Sequence, residues 1–291
     1  VPRCGMIAIS LGWGVQSFAL AAMSALGELP AVDVAIHADT THEASGTYAF
    51  AARWTPWLEE RGVRVVTVND AAQAAKVGTS KTDIPAFTTL WFDTPDSAAT
   101  KSMIRPAVGN VYDYEDEDDY EGGYTRERIS NGMLRRQCTQ RWKIAPMRRW
   151  LQANRDGAVV EQWLGISLDE VQRMKDSDVK YVAHRWPLIE RRMTRGDCVT
   201  WLERHGIEVP PKSACSFCPF HSTAEWRRVK NTPEDWEKAV AVDEAIRSVR
   251  PPYDLFLHPS RIPLVDVDLK SEADRGQLSL WDAECDGVCG V

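Results

Sequence analysis

MIAISLGWGVQS, residues 6–17, decides the fold of this chain. The run MIAIS (6–10) is short and apolar, as in a buried strand, and the glycines at positions 12 and 14 mark a turn. From Val15 onward, apolar residues recur at helical spacing, with Phe18, Ala22 and Leu26 on one face. The stretch therefore predicts a strand, a tight turn and a helix in immediate succession.

The same alternation continues along the first half of the chain. VDVAIHA (32–38) and VRVVTVN (63–69) have the composition of buried strands, and residues 44–61 between them have a helical pattern. A further strand is expected within AVVEQWLGIS, residues 158–167. Strands that alternate with helices favour an α/β fold, in which a parallel sheet carries helices on both faces.

Composition excludes several classes of protein. The 291 residues are 26% charged with a net charge of −7, which argues against a non-specific nucleic-acid coat. No run approaches the about 18 apolar residues that a membrane span needs. The first residues, VPRCGMIAISLGWG, lack the pattern of a secretory signal, so we expect a cytoplasmic protein without a membrane partner. Seven cysteines in such a chain are unsuited to a disulfide framework.

Two domains are expected. Residues 1–190 form the α/β domain, interrupted by an irregular insertion over 78–134. The acidic, aromatic tract 112–124 in this insertion is interpreted as a solvated loop, with a lid or partner-binding segment as the alternative. Residues 191–291 form a smaller, cysteine-bearing region with short helices around 194–205 and 223–248.

The turn after the first strand has the features of a phosphate-binding loop. Gly12 and Gly14 allow the backbone to approach a ligand, and the following helix N-terminus presents N–H groups to an anion. Ser10 and Ser17 add hydroxyl donors. The sequence matches neither a Walker A loop nor GxGxxG, and a purely structural turn remains the alternative.

A second group of residues suggests metal or thiol chemistry. Cys215 and Cys218 form a CxxC pair, which suits either one metal centre or a redox disulfide. Cys138 and Cys198 are the natural complements for a four-thiolate site. An iron–sulfur cluster, a structural zinc ion and inert thiols all remain open at this point.

The loop resembles the PP-loop, the Ser-Gly-Gly-x-Asp-Ser signature of ATP pyrophosphatases and phosphoadenosine-phosphosulfate (PAPS) reductases. Gln16 replaces the signature Asp, which leaves the Mg²⁺ role of that Asp unassigned. HADT (37–40) and LGISLDE (164–170) resemble later segments of the same family. The resemblance implies an adenine nucleotide alpha-hydrolase, HUP-like fold. The nucleotide-binding candidates are Ser10, Gly12, Gly14, Gln16, Ser17, Asp39, Arg135, Lys143, Gly165 and Arg173, with Asp39 and Lys143 also as catalytic candidates.

The cysteines resemble those of the iron–sulfur-containing members of this family. Cys138 lies in a Cys-Thr-x-x-x-Lys segment, although Gln137 stands where a second Cys is expected. The resemblance implies a 4Fe–4S cluster on Cys138, Cys198, Cys215 and Cys218. The tail element Glu284-Cys285 resembles the reductase ending, whose Cys attacks a sulfonyl group, but Asp286 interrupts the motif. A metal or disulfide role for Cys285 with Cys289, or a plain flexible tail, is the alternative.

These observations lead to an expected function. The resemblance implies an enzyme that binds ATP with Mg²⁺, adenylates a substrate and supports sulfur transfer with the help of the cluster. The acceptor stays open between a nucleobase, a nucleic-acid phosphate and a small metabolite, and a sulfur donor is an expected partner. The alternatives are a PAPS or adenylylsulfate reductase with Cys285 as nucleophile and a thioredoxin-like partner, and a non-catalytic nucleotide- or cluster-binding module.

Overall fold

The structure, a computed structural model, describes residues 5–95 and 124–270. The helices and strands in chain order are β1 (Ile7–Ser10), α1 (Val15–Ala25), β2 (Val34–Asp39), α2 (Ser45–Glu59), β3 (Val65–Asn69), α3 (Ala71–Ala74), β4 (Phe87–Pro95), β5 (Tyr124–Met133), α4 (Ala145–Asn154), β6 (Val160–Trp163), β7 (Val182–Arg185), α5 (Pro187–Glu190), α6 (Arg195–Arg204), α7 (Thr223–Lys230), α8 (Pro233–Ile246) and β8 (Tyr253–Phe256). A π-helical turn (Thr139–Ile144) leads into α4, and 3₁₀ helices span Leu168–Arg173 and Leu264–Asp266. The described residues form two compact units, one of 5–74 and 139–216, the other of 75–95, 124–138 and 217–270.

The first unit is built on a five-stranded parallel sheet with the strand order β3-β2-β1-β6-β7. Ile9 of β1 pairs with Ala35 of β2 on one side and with Trp163 of β6 on the other. The chain runs outward from β1 to β3 and then returns to β6 on the opposite side of β1. The strand order therefore reverses between β1 and β6, and open α/β sheets bind ligands at the carboxyl ends of the strands at such a point.

Helices cover both faces of this sheet, as the alternation predicted. Ile9 faces a core that includes Phe18 of α1 and Leu202 of α6. Its neighbour Ala8 faces the opposite core, which includes Leu151 of α4. Successive residues of a strand point to opposite faces, so the apolar run of β1 is buried on both sides. The α/β class with a parallel sheet is thus confirmed.

The second unit contains a three-stranded antiparallel sheet with the order β5-β4-β8, together with α7 and α8. Asp243 of α8 is 1% exposed and organises the chain around it. Its two carboxylate oxygens accept hydrogen bonds from the backbone N–H groups of Leu257 (2.9 Å) and Leu264 (3.0 Å), and Arg247 pairs with it. These contacts satisfy a buried charge that would otherwise destabilise the unit.

Several elements differ from the sequence expectations. Residues 87–95 and 124–133 belong to the segment expected to be irregular, yet they pair as antiparallel strands. The first unit extends to Ser216 rather than ending near residue 190, because α6 packs on the parallel sheet. The acidic tract 112–124 lies outside the described residues except for its last residue. Across 5–95 and 124–270, no helix combines the length and apolarity needed to cross a membrane.

Candidate active site

The loop between β1 and α1 is braced by its own polar groups. The backbone N–H of Gly12 donates to Ser17 Oγ at 3.2 Å, and Ser17 Oγ donates to the carbonyl of Gly14 at 3.2 Å. Gly14 is the N-cap of α1, so the cap position itself supplies no side-chain acceptor to the first-turn N–H groups. The structure thus brings Gly12, Gly14 and Ser17 together at a helix N-terminus suited to an anion, with the Ser17 hydroxyl shaping the loop.

Trp13 carries the backbone strain of this loop. Its φ is +58°, a left-handed conformation that glycine adopts more readily, whereas Gly12 and Gly14 avoid that region. The indole is 1% exposed and contacts Phe18, with the ring centroids 6.0 Å apart. Burial of a large aromatic side chain offsets the strain, and strained backbone of this kind concentrates at functional sites.

Gly165, which follows β6, packs directly against the start of α1. A Cβ at this position would lie 2.7 Å from the backbone N of Ser17 and 3.0 Å from the carbonyl carbon of Gln16. Both distances are well below ordinary van der Waals contact, so only glycine fits here. The resemblance predicted that Gly165 approaches the nucleotide. The structure gives it a different close neighbour, the backbone of the loop.

Gln16 is held by a polar network from the segment after β6. Its Nε2 donates to Ser167 Oγ at 3.3 Å and to Glu170 Oε2 at 3.2 Å. Arg173 in turn donates to Glu170 Oε1 at 2.5 Å. Gln16 therefore acts as a hydrogen-bond donor toward a carboxylate, and Arg173 lies in an ion pair next to the loop.

Asp39, the last residue of β2, organises the turn that follows it. Its Oδ1 accepts hydrogen bonds from the backbone N–H of Thr41 and from the Tyr48 hydroxyl, both at 2.8 Å. Burial, followed by the contact with Asp39, raises the pKa of Tyr48, so this hydroxyl stays protonated and donates. Thr41 has a φ of +62°, a second strained residue at the same sheet edge. These contacts show Asp39 as a turn-stabilising residue.

Lys143 reaches the same edge from the π-helical turn. Its Nζ lies 2.9 Å from Oε1 of Glu43, a residue that follows β2 and is 1% exposed. The same Glu43 oxygen accepts a hydrogen bond from Thr40 Oγ1 at 3.2 Å. Glu43 was not predicted from the sequence, and it supplies the anionic partner of the predicted lysine.

His37 connects β2 to the loop between β1 and α1. It is 6% exposed, and its Nδ1 lies 3.2 Å from the carbonyl of Leu11. Desolvation lowers the pKa of His37 and outweighs the opposing influence of Glu43. The imidazole is therefore neutral near pH 7, and its Nδ1–H donates to Leu11.

The segment 211–216 contacts the loop after β1 and the turn after β2. It also places Cys215 in the first unit. Ser213 Oγ donates to the carbonyl of Gly12 at 2.5 Å, and the N–H of Ala44 donates to the carbonyl of Ala214 at 2.9 Å. Glu43 and Cys215 form an isolated antiparallel bridge. The thiol of Cys215 lies 3.4 Å from Thr40 Oγ1. A thiol is thus held two residues along the chain from Ser213, which contacts the loop between β1 and α1.

Cys198 has the surroundings of a core thiol. It is fully buried among the apolar side chains of the core that also contains Leu202 and Ile207. Desolvation, followed by the nearby charge of Asp169, raises its pKa to about 12. A metal ligand must be the thiolate, and this environment disfavours the thiolate strongly. Cys198 therefore fits the role of a buried small hydrophobe better than that of a cluster ligand.

The other predicted ligands that the structure describes are partly exposed cysteines that form no disulfide with a described residue. These are Cys138 and Cys218 in the second unit and Cys215 in the first. The N–H of Cys138 donates to the carbonyl of Asp83 at 3.0 Å, and the carbonyl of Cys218 accepts from the N–H of His221 at 3.1 Å. No group of three or more His, Cys, Asp or Glu side chains within 5–95 and 124–270 is arranged to hold a metal ion. Cys285 and Cys289 lie outside the described residues.

The arginines within residues 135–149 make separate contacts with different partners. Arg148 pairs with Asp178, and Arg149 pairs with Asp70 at 2.8 Å. Arg136 lies over the ring of Phe220 in the second unit, 5.4 Å from its centroid. The predicted nucleotide ligand Arg135 is an exposed residue of the same unit. Ion pairs with Asp178 and Asp70 thus account for the charges of Arg148 and Arg149.

Sequence reasoning missed the residues that connect the loops. Glu43, Ser167 and Ser213 act over sequence separations of 100 or more residues, so no local pattern singles them out. One local pattern could have identified Glu43, because it is a second acidic residue that follows Asp39 shortly after a buried strand. Compared with models of known protein families and with curated proteins, the chain has no match.

Proposed function

We propose that the first unit is a HUP-like nucleotide-binding domain of the PP-loop kind, which binds ATP along residues 10–17. The observation that supports this most is the position of the loop. It joins β1 to α1 beside the point where the strand order reverses, and its conformation is fixed by Trp13, Ser17 and Ser213. A preorganised loop at a helix N-terminus is suited to bind phosphate groups without reordering.

The proposed reaction is adenylation followed by sulfur transfer. An oxygen of the acceptor attacks the α-phosphorus of ATP and forms an O–P bond. The bond from that phosphorus to the bridging oxygen breaks, and pyrophosphate leaves with the electron pair. Lys143 and the N-terminus of α1 stabilise the charge of the leaving group. Hydrosulfide then attacks the activated atom, a bond to sulfur forms, and AMP leaves with the oxygen, so that no oxidant or reductant is consumed.

The iron–sulfur cluster remains a prediction from cysteine spacing. Cys138, Cys215 and Cys218 stay its candidate ligands, whereas the burial of Cys198 in the core makes it the weaker candidate. Mg²⁺ with the nucleotide is likewise kept as a prediction, since Gln16 donates rather than accepts in its observed contacts. No step of the proposed reaction passes through the cluster. The contact of Cys215 with Thr40 supports thiol chemistry next to the nucleotide loop.

The test is product analysis with purified protein. Incubation with MgATP, sodium sulfide and an acceptor mixture of nucleobases and oligonucleotides should release pyrophosphate and AMP. Gly14→Val should abolish nucleotide binding with an unchanged melting temperature. A Cβ at position 14 would lie 3.8 Å from the Cβ of Ser213, an ordinary contact, so the fold should tolerate the larger side chain while it crowds the loop proposed to bind phosphate. Sulfite release from a sulfonucleotide with thioredoxin would instead support the reductase. Nucleotide binding without any turnover would support a binding module.

A further inference from the structure

Glu43 is a buried carboxylate, and the side-chain donors that contact it all contact the same oxygen. The side chain is 1% exposed, and Oε1 receives both Lys143 Nζ at 2.9 Å and Thr40 Oγ1 at 3.2 Å. The second oxygen, Oε2, is buried and makes no hydrogen bond with a described residue. A buried carboxylate needs a cation or donors to offset its desolvation. The ammonium of Lys143 is therefore the main compensation for this charge.

The backbone around Glu43 leaves the carboxylate little freedom. Its N–H donates to the Tyr48 hydroxyl at 3.3 Å, and the residue bridges to Cys215. The preceding turn is strained at Thr41 and is held by Asp39. Lys143, by contrast, has a long side chain that is 36% exposed. A rigid anion thus contacts the end of a flexible cation, which is the arrangement that restricts a lysine to one position.

We infer that Glu43 is a positioning residue for the proposed adenylation, acting by holding the ammonium of Lys143 at the carboxyl edge of the sheet. The inference rests on the proposed function. The fixed ammonium then contributes to the stabilisation of the leaving pyrophosphate without an ordering cost during the reaction.

The kinetic test is a double-mutant cycle on pyrophosphate release. Glu43→Gln keeps the side-chain shape and leaves the ammonium present but no longer held by a charge. It should lower kcat about tenfold or more and change KM for ATP by less than about threefold. Lys143→Met should lower kcat at least as much and also raise KM. The double variant Glu43→Gln/Lys143→Met should have the kcat of Lys143→Met, because Glu43 acts only through the lysine.

A stability measurement accompanies the kinetics. Lys143→Met leaves Glu43 buried without its cation and should lower the melting temperature, whereas the double variant should regain most of the loss and remain inactive. Arg149→Met is the matched control, since it removes an exposed cation paired with Asp70, and its kcat should equal that of the wild type.

Different outcomes test the proposed function and the inference on Glu43 separately. Wild-type protein that releases no pyrophosphate contradicts the proposed function, and the inference on Glu43 falls with it. Active wild-type protein with additive kcat losses, or with an unchanged kcat for Glu43→Gln, overturns only the inference. A double variant that regains no stability also overturns it, because the ion pair would then not be the contact that fixes Lys143.

Discussion

Replacement of Gly165 by alanine tests whether the loop after β6 supports the phosphate loop. The added Cβ would lie 2.7 Å from the N of Ser17, 2.8 Å from its Cα and 3.0 Å from the carbonyl carbon of Gln16. All three atoms belong to the backbone of the first turn of α1, which cannot rotate away as a side chain would. The phosphate loop and the loop after β6 must therefore separate.

The size of the effect follows from these distances. Ordinary contacts of a Cβ begin near 3.4 Å, so the two backbones must move apart by up to about 0.7 Å, the difference between 3.4 and 2.7 Å. Overpacking of one methyl group against a rigid neighbour typically costs about 1–3 kcal/mol. At about 2–4 °C per kcal/mol for a unit of this size, the melting temperature should fall by several degrees. ATP affinity should fall as well, because the N–H groups of the first turn move.

Thermal unfolding and calorimetric titration with ATP measure the two effects. Gly196→Ala is the matched control: its Cβ would meet only Thr194 Oγ1, at 3.7 Å, near the start of another helix. That variant should melt like the wild type and bind ATP equally well. If Gly165→Ala were as stable as Gly196→Ala and bound ATP normally, the packing of Gly165 on α1 would not be what shapes the loop.

Three further predictions follow from the buried groups of the first unit. The pKa of His37 is lower in the folded state than in the unfolded chain, so the unfolded chain takes up a proton more readily. Stability to urea should therefore hold above about pH 6.5 and decline below it. The His37→Asn variant should show a flatter decline. Iron bound per chain should be lost in Cys215→Ala but retained in Cys198→Ala, and equal loss in both would return Cys198 to the ligand set. Trp13→Ala should destabilise the protein by about 3–5 kcal/mol in chemical unfolding, and a loss under about 1 kcal/mol would show that the indole does not anchor the loop.

The sequence predicts the first unit well because its central strands, β1 and β2, are mostly buried. β1, β2 and β3 each contain a short apolar run, β6 begins at the end of the apolar run 158–160, and the helical pattern between the strands gives the parallel order. β7 was not predicted, since VAHR is short and half polar. β4 and β5 were not predicted either, because β5 is largely polar and the two strands are separated in sequence by residues 96–123. A pairing over such a separation is a non-local contact, which no local sequence pattern specifies.

The site was predictable where it depends on local chain geometry. The positions of Gly12, Gly14 and Ser17 follow from a strand, a turn and a helix that are adjacent in sequence. The roles of Gly165 and Glu43 depend on tertiary contacts, so sequence alone assigns the first to the nucleotide and overlooks the second. For Cys198 the residue type suggests a metal ligand. Only the structure shows that this side chain is buried in the core.

The departure of Gln16 from the PP-loop signature has a local chemical counterpart. Glu170 Oε2 lies 3.2 Å from the Gln16 amide nitrogen, and Arg173 neutralises the other oxygen of the same carboxylate. An aspartate at position 16 would bring a second negative charge to this pair, which like-charge repulsion disfavours. The Gln16 amide can donate a hydrogen bond to Glu170, whereas an aspartate at this position could not. The residues at positions 16 and 170 therefore depend on each other chemically. In this chain, the residue at position 16 connects the phosphate loop to the segment after β6, on the side of the sheet edge opposite the turn that carries Glu43.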